Sequence, residues 1–143
     1  MMTCTAKELC AATGGTLVQD GEGFSCVSTD SRRVEQGCLF IPLVGERFDG
    51  YTYLTQALEN GAAGCLCSRL PEALVPGKFY VQVEDTLRAL GQLAGWYREK
   101  FPIPVVQITG SAGKTTTKEM IASVLSQHFL TLKTEANYNN EIG

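Results

Sequence analysis

The chain has 143 residues, a net charge of −3 and no cluster of basic side chains, which argues against nucleic acid as a main partner. The longest apolar run, residues 38–44, is too short to cross a membrane and contains Pro42. Residues 1–8 lack the apolar core of a signal peptide. We therefore expect a cytoplasmic protein without membrane insertion.

The six cysteines form no C-x-x-C pair, and His128 is the single histidine. A zinc site is therefore not expected. In a reducing cytosol the cysteines are expected to be free, buried thiols. Cys65 and Cys67 lie in a predicted strand, and we expect their thiols on opposite faces of it.

Residues 1–101 are predicted to form a small α/β domain. A capping box from Thr5 to Glu8 predicts the start of a short helix, and Gly14-Gly15 predicts its end. The Asp20-Gly21 turn predicts a hairpin between the first two strands. Alternating apolar residues and turn signals predict the other elements. They are strands at 17–18, 24–27, 39–44, 63–67 and 79–83, and helices at 51–60 and 86–100.

The helix predicted at 86–100 carries the clearest helical spacing of apolar residues. Its predicted buried stripe consists of Leu87, Leu90, Ala94, Tyr97 and Phe101. The run 101–104, Phe-Pro-Ile-Pro, breaks the helix and is predicted to link two domains. We place the domains at 1–101 and 102–143.

Two polar loops follow predicted strands in the first domain. Residues 28–32, Ser-Thr-Asp-Ser-Arg, follow one strand, and residues 45–50, Gly-Glu-Arg-Phe-Asp-Gly, follow the next. Ligands in open α/β sheets usually bind where strands end, so both loops could line one pocket. A capped turn is the favoured interpretation of the first loop on sequence alone, because Ser, Thr and Asp all stabilise turns locally.

The second domain opens with the most informative motif, T-G-x-x-G-K-T-T, at 109–116. An apolar run at 105–108 predicts a buried strand before it, and a helix is predicted after it. Two glycines and the helix N-terminus turn N–H groups toward an anion, while Lys114 and Thr115 are placed for phosphate and Mg²⁺. The predicted ATP-binding residues are Gly110, Ser111, Ala112, Gly113, Lys114, Thr115 and Thr116. The loop is a variant, because the common G-x-x-x-x-G-K-[ST] form would need glycine at Ile108.

The residues after the loop are too few for a complete nucleotide-binding domain. Apolar residues at helical spacing predict a helix at 114–128, and 131–134 predicts a short strand. A parallel sheet needs several covered strands. We therefore expect a truncated domain, whose residues 103–143 dock on the first domain, pair with another copy or are mobile.

These motifs together resemble the Mur ligases, which build the peptide stem of bacterial peptidoglycan. The resemblance rests on residues 28–32, 37–45, 48–50, 57 and 61–62, and on the variant loop at 109–117. The closing run 134–143, Thr-Glu-Ala-Asn-Tyr-Asn-Asn-Glu-Ile-Gly, resembles the MurF-type branch, which adds D-alanyl-D-alanine to UDP-N-acetylmuramoyl-tripeptide. Ala136 departs from the glycine common at that position.

The resemblance implies a three-domain ATP-dependent amide ligase with ATP and Mg²⁺ as cofactors and an acyl-phosphate intermediate. Lys114 and Thr115 would be catalytic, and Thr115 would also bind the metal. The resemblance further implies substrate-binding residues for the uridine nucleotide and the muramoyl-peptide. They are Thr29, Ser31, Glu46, Arg47 and Phe48 for the first, and Asn137, Asn139 and Asn140 for the second.

The 143-residue chain is expected to be inactive alone. Two alternatives stay open. One is a Mur-type ligase that adds a different residue, and the other is a non-catalytic nucleotide-binding module.

Overall fold

The computed structural model describes residues 3–46 and 48–134. The chain divides into two compact units with the boundary between Lys100 and Phe101. The boundary predicted from sequence lies one residue later, after Phe101. Among the described residues, no helix is both long enough and apolar enough to span a membrane.

The first unit is built on a five-stranded sheet. Its strands are β1 Thr16–Gln19, β2 Cys26–Ser28, β3 Cys38–Phe40, β4 Gly64–Cys67 and β5 Phe79–Gln82. The strand order is β1-β5-β4-β3-β2, with β2 to β5 parallel and β1 antiparallel to β5. The predicted α/β class is confirmed. Because β2, β3 and β4 are parallel, their carboxyl ends lie at the same end of the sheet, and the segments that follow them start there.

Three helices pack on this sheet. They are α1 Ala6–Thr13, α2 Leu54–Glu59 and α3 Thr86–Glu99. The predicted capping box starts α1: Thr5 Oγ1 accepts from the Glu8 N–H (3.2 Å), and the Glu8 carboxylate accepts from the Thr5 N–H (2.9 Å). Gly14 ends α1 with φ 68°, a left-handed conformation that favours glycine.

The three central strands of the sheet are covered on both faces. Leu39 and Leu66 pack in a cluster with residues of α1 and α3, whereas Phe40 and Tyr80 pack in a second cluster with residues of α2. Successive residues of a strand point to opposite faces, so a doubly covered strand is apolar throughout. This explains the continuous apolar runs at β3, β4 and β5.

Two predictions about the cysteines are wrong. Cys65 and Cys67 lie in the same cluster, because residues two apart in a strand share a face. Cys26 and Cys38 form a disulfide instead of free thiols. They are register partners on the adjacent parallel strands β2 and β3, with Cα atoms 4.5 Å apart. The other cysteines are free, as predicted: Cys4, Cys10, Cys65 and Cys67.

The predicted hairpin between the first two strands is also wrong. β1 pairs with β5, and β2 lies at the opposite edge of the sheet. The Asp20-Gly21 signal is local, whereas β1 is held by long-range contacts. One of them is Gln19, whose Nε2 donates to the carbonyls of Val75 (2.9 Å) and Lys78 (2.6 Å).

Helix α3 buries a different stripe from the predicted one. The fully buried residues are Thr86, Ala89 and Leu93. Of the predicted stripe, Leu90 is half-buried against the core cluster, while Leu87 is 37% exposed. Both stripes have helical spacing, so spacing alone did not decide between them.

The second unit contains the predicted helix after the glycine-rich loop, α4 Lys114–Leu125. The strands predicted at 105–108 and 131–134 are not formed. Val105 is 63% and Val106 61% exposed. A strand needs a partner to pair with, and no strand lies among the described residues of this unit.

Candidate functional site

The segment after β2 forms a capped turn, Ser31–Arg33. Asp30 Oδ1 accepts from the backbone N–H of Arg32 at 3.0 Å. Arg32 donates from Nε to Asp30 Oδ1 (2.9 Å) and from Nη2 to Asp30 Oδ2 (2.7 Å). These hydrogen bonds lower the pKa of the Asp30 carboxyl to about 2. Ser28 Oγ donates to the Asp30 carbonyl at 2.9 Å.

Thr29 and Ser31 flank Asp30 in this turn, and both are half-buried. The local capping therefore uses Ser28 and Asp30. The predicted substrate roles of Thr29 and Ser31 stay predictions.

The segment after β3 is a short closed loop, which we call the 44–49 loop. Val44 and Asp49 form an antiparallel bridge at its base, and the Gly45 N–H donates to the Phe48 carbonyl at 2.9 Å. The Phe48 ring lies against Gly45, where any Cβ would collide with it. Phe48 is nevertheless 58% exposed, and Glu46 is exposed at the tip. Arg47 lies outside the described residues.

The two loops lie at the same end of the sheet, at the carboxyl ends of β2 and β3. β2 and β3 are parallel neighbours, and the Ile41 N–H donates to the Ser28 carbonyl at 2.9 Å where the strands end. Both loops therefore lie at the carboxyl ends of neighbouring strands, and their predicted role in lining one pocket stays a prediction.

Sequence reasoning missed a cluster of four residues that holds the 44–49 loop. Arg69 Nη2 donates to Asp49 Oδ1 (2.9 Å) and Oδ2 (2.7 Å). The Arg69 guanidinium lies 4.2 Å from the centroid of the Tyr51 ring, a cation–π contact. Tyr51 Oη accepts from the Ser68 N–H at 2.6 Å. The arginine follows β4, twenty positions after its acidic partner, so no local sequence signal joins the two.

The ion pair between Arg69 and Asp49 changes the pKa of the Asp49 carboxyl. The hydrogen bond from Arg69, with that from the Tyr51 N–H, lowers the pKa of the Asp49 carboxyl. Asp49 therefore keeps its negative charge to lower pH than an ordinary aspartate.

The glycine-rich loop in the second unit has the backbone that its sequence predicts. Gly110 has φ 150° and Gly113 has φ 76°, both values that side chains disfavour. Gly113 caps α4, and its carbonyl accepts from the Thr117 N–H at 2.9 Å. Lys114 Nζ donates to the Gly110 carbonyl at 2.6 Å, so the lysine folds back over the loop.

These residues fit a phosphate chain with Mg²⁺. A Cβ at Gly113 would meet nothing within 4 Å, so the approach to the start of α4 is open. N–H groups at a helix N-terminus favour an anion, and a lysine supplies a charge. Thr115, in the first turn of α4, offers a hydroxyl for the metal. The described residues contain no group of three or more His, Cys, Asp or Glu that could hold a metal ion by itself.

Some predicted site residues lie beyond the part of the chain that the structure describes. They are Asn137, Asn139 and Asn140.

Comparison with known protein families identifies the family of this chain. Residues 23–98 match the Mur ligase family, catalytic domain, and residues 108–143 match the Mur ligase middle domain. The chain therefore belongs to the Mur ligase family.

Within the family, the chain is homologous to the MurF type. The UDP-N-acetylmuramoyl-tripeptide–D-alanyl-D-alanine ligase of Escherichia coli is 42% identical over 143 residues, 100% of this chain and 31% of the relative. The enzyme of the same name from Synechocystis is 49% identical over 117 residues, 82% of this chain and 26% of the relative. The chain thus spans about a third or less of these relatives.

Solved structures give the same result. A MurF crystal structure from Acinetobacter baumannii matches with a TM-score of 0.90 and 38% identity, covering 99% of this chain and 32% of that one. MurF from Thermotoga maritima, in complex with ADP, matches with a TM-score of 0.73 and 35% identity, covering 82% of this chain and 27% of that one.

Proposed function

We propose that the protein carrying this chain is an ATP-dependent ligase that joins D-alanyl-D-alanine to UDP-N-acetylmuramoyl-tripeptide in peptidoglycan synthesis. Residues 1–101 would hold the uridine nucleotide, and residues 102–143 would open the ATP-binding domain. The observation that carries this proposal is 42% identity, over the whole chain, to a ligase of that name. The open loop at the start of α4 supports it.

The glycine-rich loop would bind the phosphates of ATP. Lys114 would leave the Gly110 carbonyl and place its charge on the terminal phosphates, and the N–H groups from Gly110 to Thr116 would act as fixed dipoles. Thr115 would hold Mg²⁺, which neutralises charge on the transferring phosphate when bound. An ADP complex of the Thermotoga maritima relative supports nucleotide binding in this family.

The proposed reaction has two steps. A carboxylate oxygen of the tripeptide attacks the γ-phosphorus, the bond to the bridging oxygen breaks, and ADP leaves. The amine of D-alanyl-D-alanine then attacks the acyl carbonyl, loses a proton, and phosphate leaves. Neither step needs a protein nucleophile, so the residues of this chain act by binding, orienting and neutralising charge.

The two loops at the carboxyl ends of β2 and β3 would bind the other substrate. Thr29 and Ser31 in the first, with Glu46, Arg47 and Phe48 in the second, would contact the uridine nucleotide. The muramoyl-peptide would contact another set. It comprises Asn137, Asn139 and Asn140.

Calorimetric titration of the 143-residue chain tests this assignment. We expect UDP-N-acetylmuramoyl-tripeptide to bind, and Ser31→Ala to abolish or strongly weaken that binding. A ligand-independent loss of fold is checked by thermal unfolding of the variant. ATP·Mg²⁺ binding is titrated separately, with Lys114→Ala compared with Lys133→Ala, whose side chain pairs with Glu119 instead.

The outcomes separate the alternatives. Tight ATP binding without any uridine-nucleotide binding would contradict the ligase proposal and favour a nucleotide-sensing module. In a phosphate-release assay on the protein carrying this chain, activity with another amino acid and none with D-alanyl-D-alanine would favour a different Mur-type ligase. The 143-residue chain alone is expected to be inactive in that assay. The cytoplasmic location stays a prediction, which cell fractionation would test.

A further inference from the structure

We infer that Arg69 is a positioning residue, which holds the 44–49 loop in the conformation that binds the uridine nucleotide. This inference rests on the proposed function for the identity of the ligand. The role of Arg69 in holding the loop is independent of the proposed function, because it follows from the contacts alone.

The 44–49 loop has little support of its own. Its backbone is closed by the Val44–Asp49 bridge and the Gly45–Phe48 hydrogen bond. Phe48 at 58% and Val44 at 62% exposed contribute little apolar burial. A loop with few buried contacts opens easily unless its ends are anchored.

Asp49 supplies the anchor at the base of the loop. Its Oδ1 accepts from the Tyr51 N–H at 3.0 Å, which caps the turn Gly50–Tyr53. Both of its oxygens accept from Arg69 Nη2. One carboxylate therefore fixes the chain on both sides of Gly50, and the Gly50 N–H donates to the Leu43 carbonyl at 2.9 Å.

Arg69 connects that anchor to the rigid sheet. It comes directly after Ser68, which follows β4, and β4 is buried along its whole length. Tyr51 contacts this segment in two ways. The Arg69 guanidinium lies 4.2 Å from the centroid of the Tyr51 ring, and the Tyr51 phenol oxygen accepts from the N–H of Ser68, the residue before Arg69. The planar guanidinium can stack and bond at once, which lysine cannot do. Arg69, at the end of β4, thereby fixes the position of the 44–49 loop, which follows the neighbouring strand β3.

Exposure limits what this contact does for global stability. The side chains of Arg69 and Asp49 are 58% and 42% exposed, and exposed ion pairs stabilise folded proteins little. The effect is instead expected in the loop, where a ligand would otherwise have to order mobile residues on binding.

The test compares Arg69→Gln and Arg69→Lys with Arg88→Gln, which makes the same charge change on α3. In the ligand-free chain, ¹⁵N relaxation is expected to show greater motion of Gly45 and Phe48 in Arg69→Gln and unchanged motion in Arg88→Gln. In titrations with UDP-N-acetylmuramoyl-tripeptide, Arg69→Gln is expected to raise Kd by about three- to tenfold. Arg69→Lys should rescue little, because it keeps the charge and loses the stacked plane.

A double-mutant cycle separates positioning from direct contact with the ligand. If Arg69 acts through Asp49, Asp49→Asn should raise Kd similarly, and the double variant should be little worse than either single variant. Additive losses would overturn the inference in favour of direct ligand contact. Unchanged loop motion in Arg69→Gln would overturn it as well. If the unmodified chain failed to bind any uridine nucleotide, the proposed function would fail, and the relaxation measurement would still decide the role of Arg69.

Discussion

A buried hydrogen bond at the start of α3 gives the sharpest stability prediction. Thr86 Oγ1 donates to the Pro42 carbonyl at 3.0 Å, and Thr86 is only 7% exposed. Pro42 is fully buried just after β3. The bond therefore joins α3 to the chain that leads into the 44–49 loop.

Thr86→Val keeps the volume of the side chain and removes the donor. The Pro42 carbonyl is then left buried without it, which costs about 1–3 kcal/mol of unfolding free energy. Thr86→Ser keeps the hydroxyl and loses one methyl group, at a cost of about 1 kcal/mol. For a unit of about 100 residues, each kcal/mol lowers Tm by roughly 4–8 °C.

The assay is urea unfolding followed by the fluorescence of Trp96, the single tryptophan of the chain. Trp96 packs against the core cluster of α1 and α3, with Lys100 Nζ 3.6 Å from the ring centroid, so its emission reports the first unit. The m-value should stay constant while the midpoint falls. A valine variant as stable as the unmodified chain would refute the argument that the hydroxyl is needed.

Three further outcomes are expected. Arg32 holds the pKa of the Asp30 carboxyl at about 2, below its ordinary value of 3.8. The ionised Asp30 carboxylate therefore stabilises the folded state above the ordinary pKa, and this stabilisation is lost as pH falls through about 2. An NMR titration of Arg32→Gln should show the Asp30 pKa moving up toward 3.8. Because Cys26 and Cys38 are bonded, thiol titration of the denatured chain should count four thiols without reductant and six after reduction, and six in both would contradict the disulfide. Because a Cβ at Gly64 would overlap backbone and ring atoms of the neighbouring strand, Gly64→Ala should destabilise the first unit by about 1–3 kcal/mol, and an unchanged urea midpoint would contradict that packing.

Local signals in the sequence predicted local structure well. The capping box at Thr5, the stop at Gly14 and the helix after Gly113 are all confirmed, because each depends on residues within one turn. The glycine-rich loop was found for the same reason. Its backbone and its predicted phosphate chemistry depend on the same few residues.

Long-range features were not predictable in the same way. The pairing of β1 with β5 and the Cys26–Cys38 disulfide both depend on strand order, which no local pattern reports. The apolar run at 105–108 has the composition of a strand, but a strand is formed only by pairing. Arg69 was missed because its role arises from a contact with a different loop.

The strand order has a consequence for how the first unit behaves in solution. Its edge strands, β1 and β2, are only four and three residues long, and β1 carries an irregularity in its pairing with β5. Short and irregular edges are poor templates for the addition of strands from other molecules. The strands with the most buried residues are the three central ones, where both sides are already paired. The first unit should therefore resist edge-to-edge aggregation when it is concentrated.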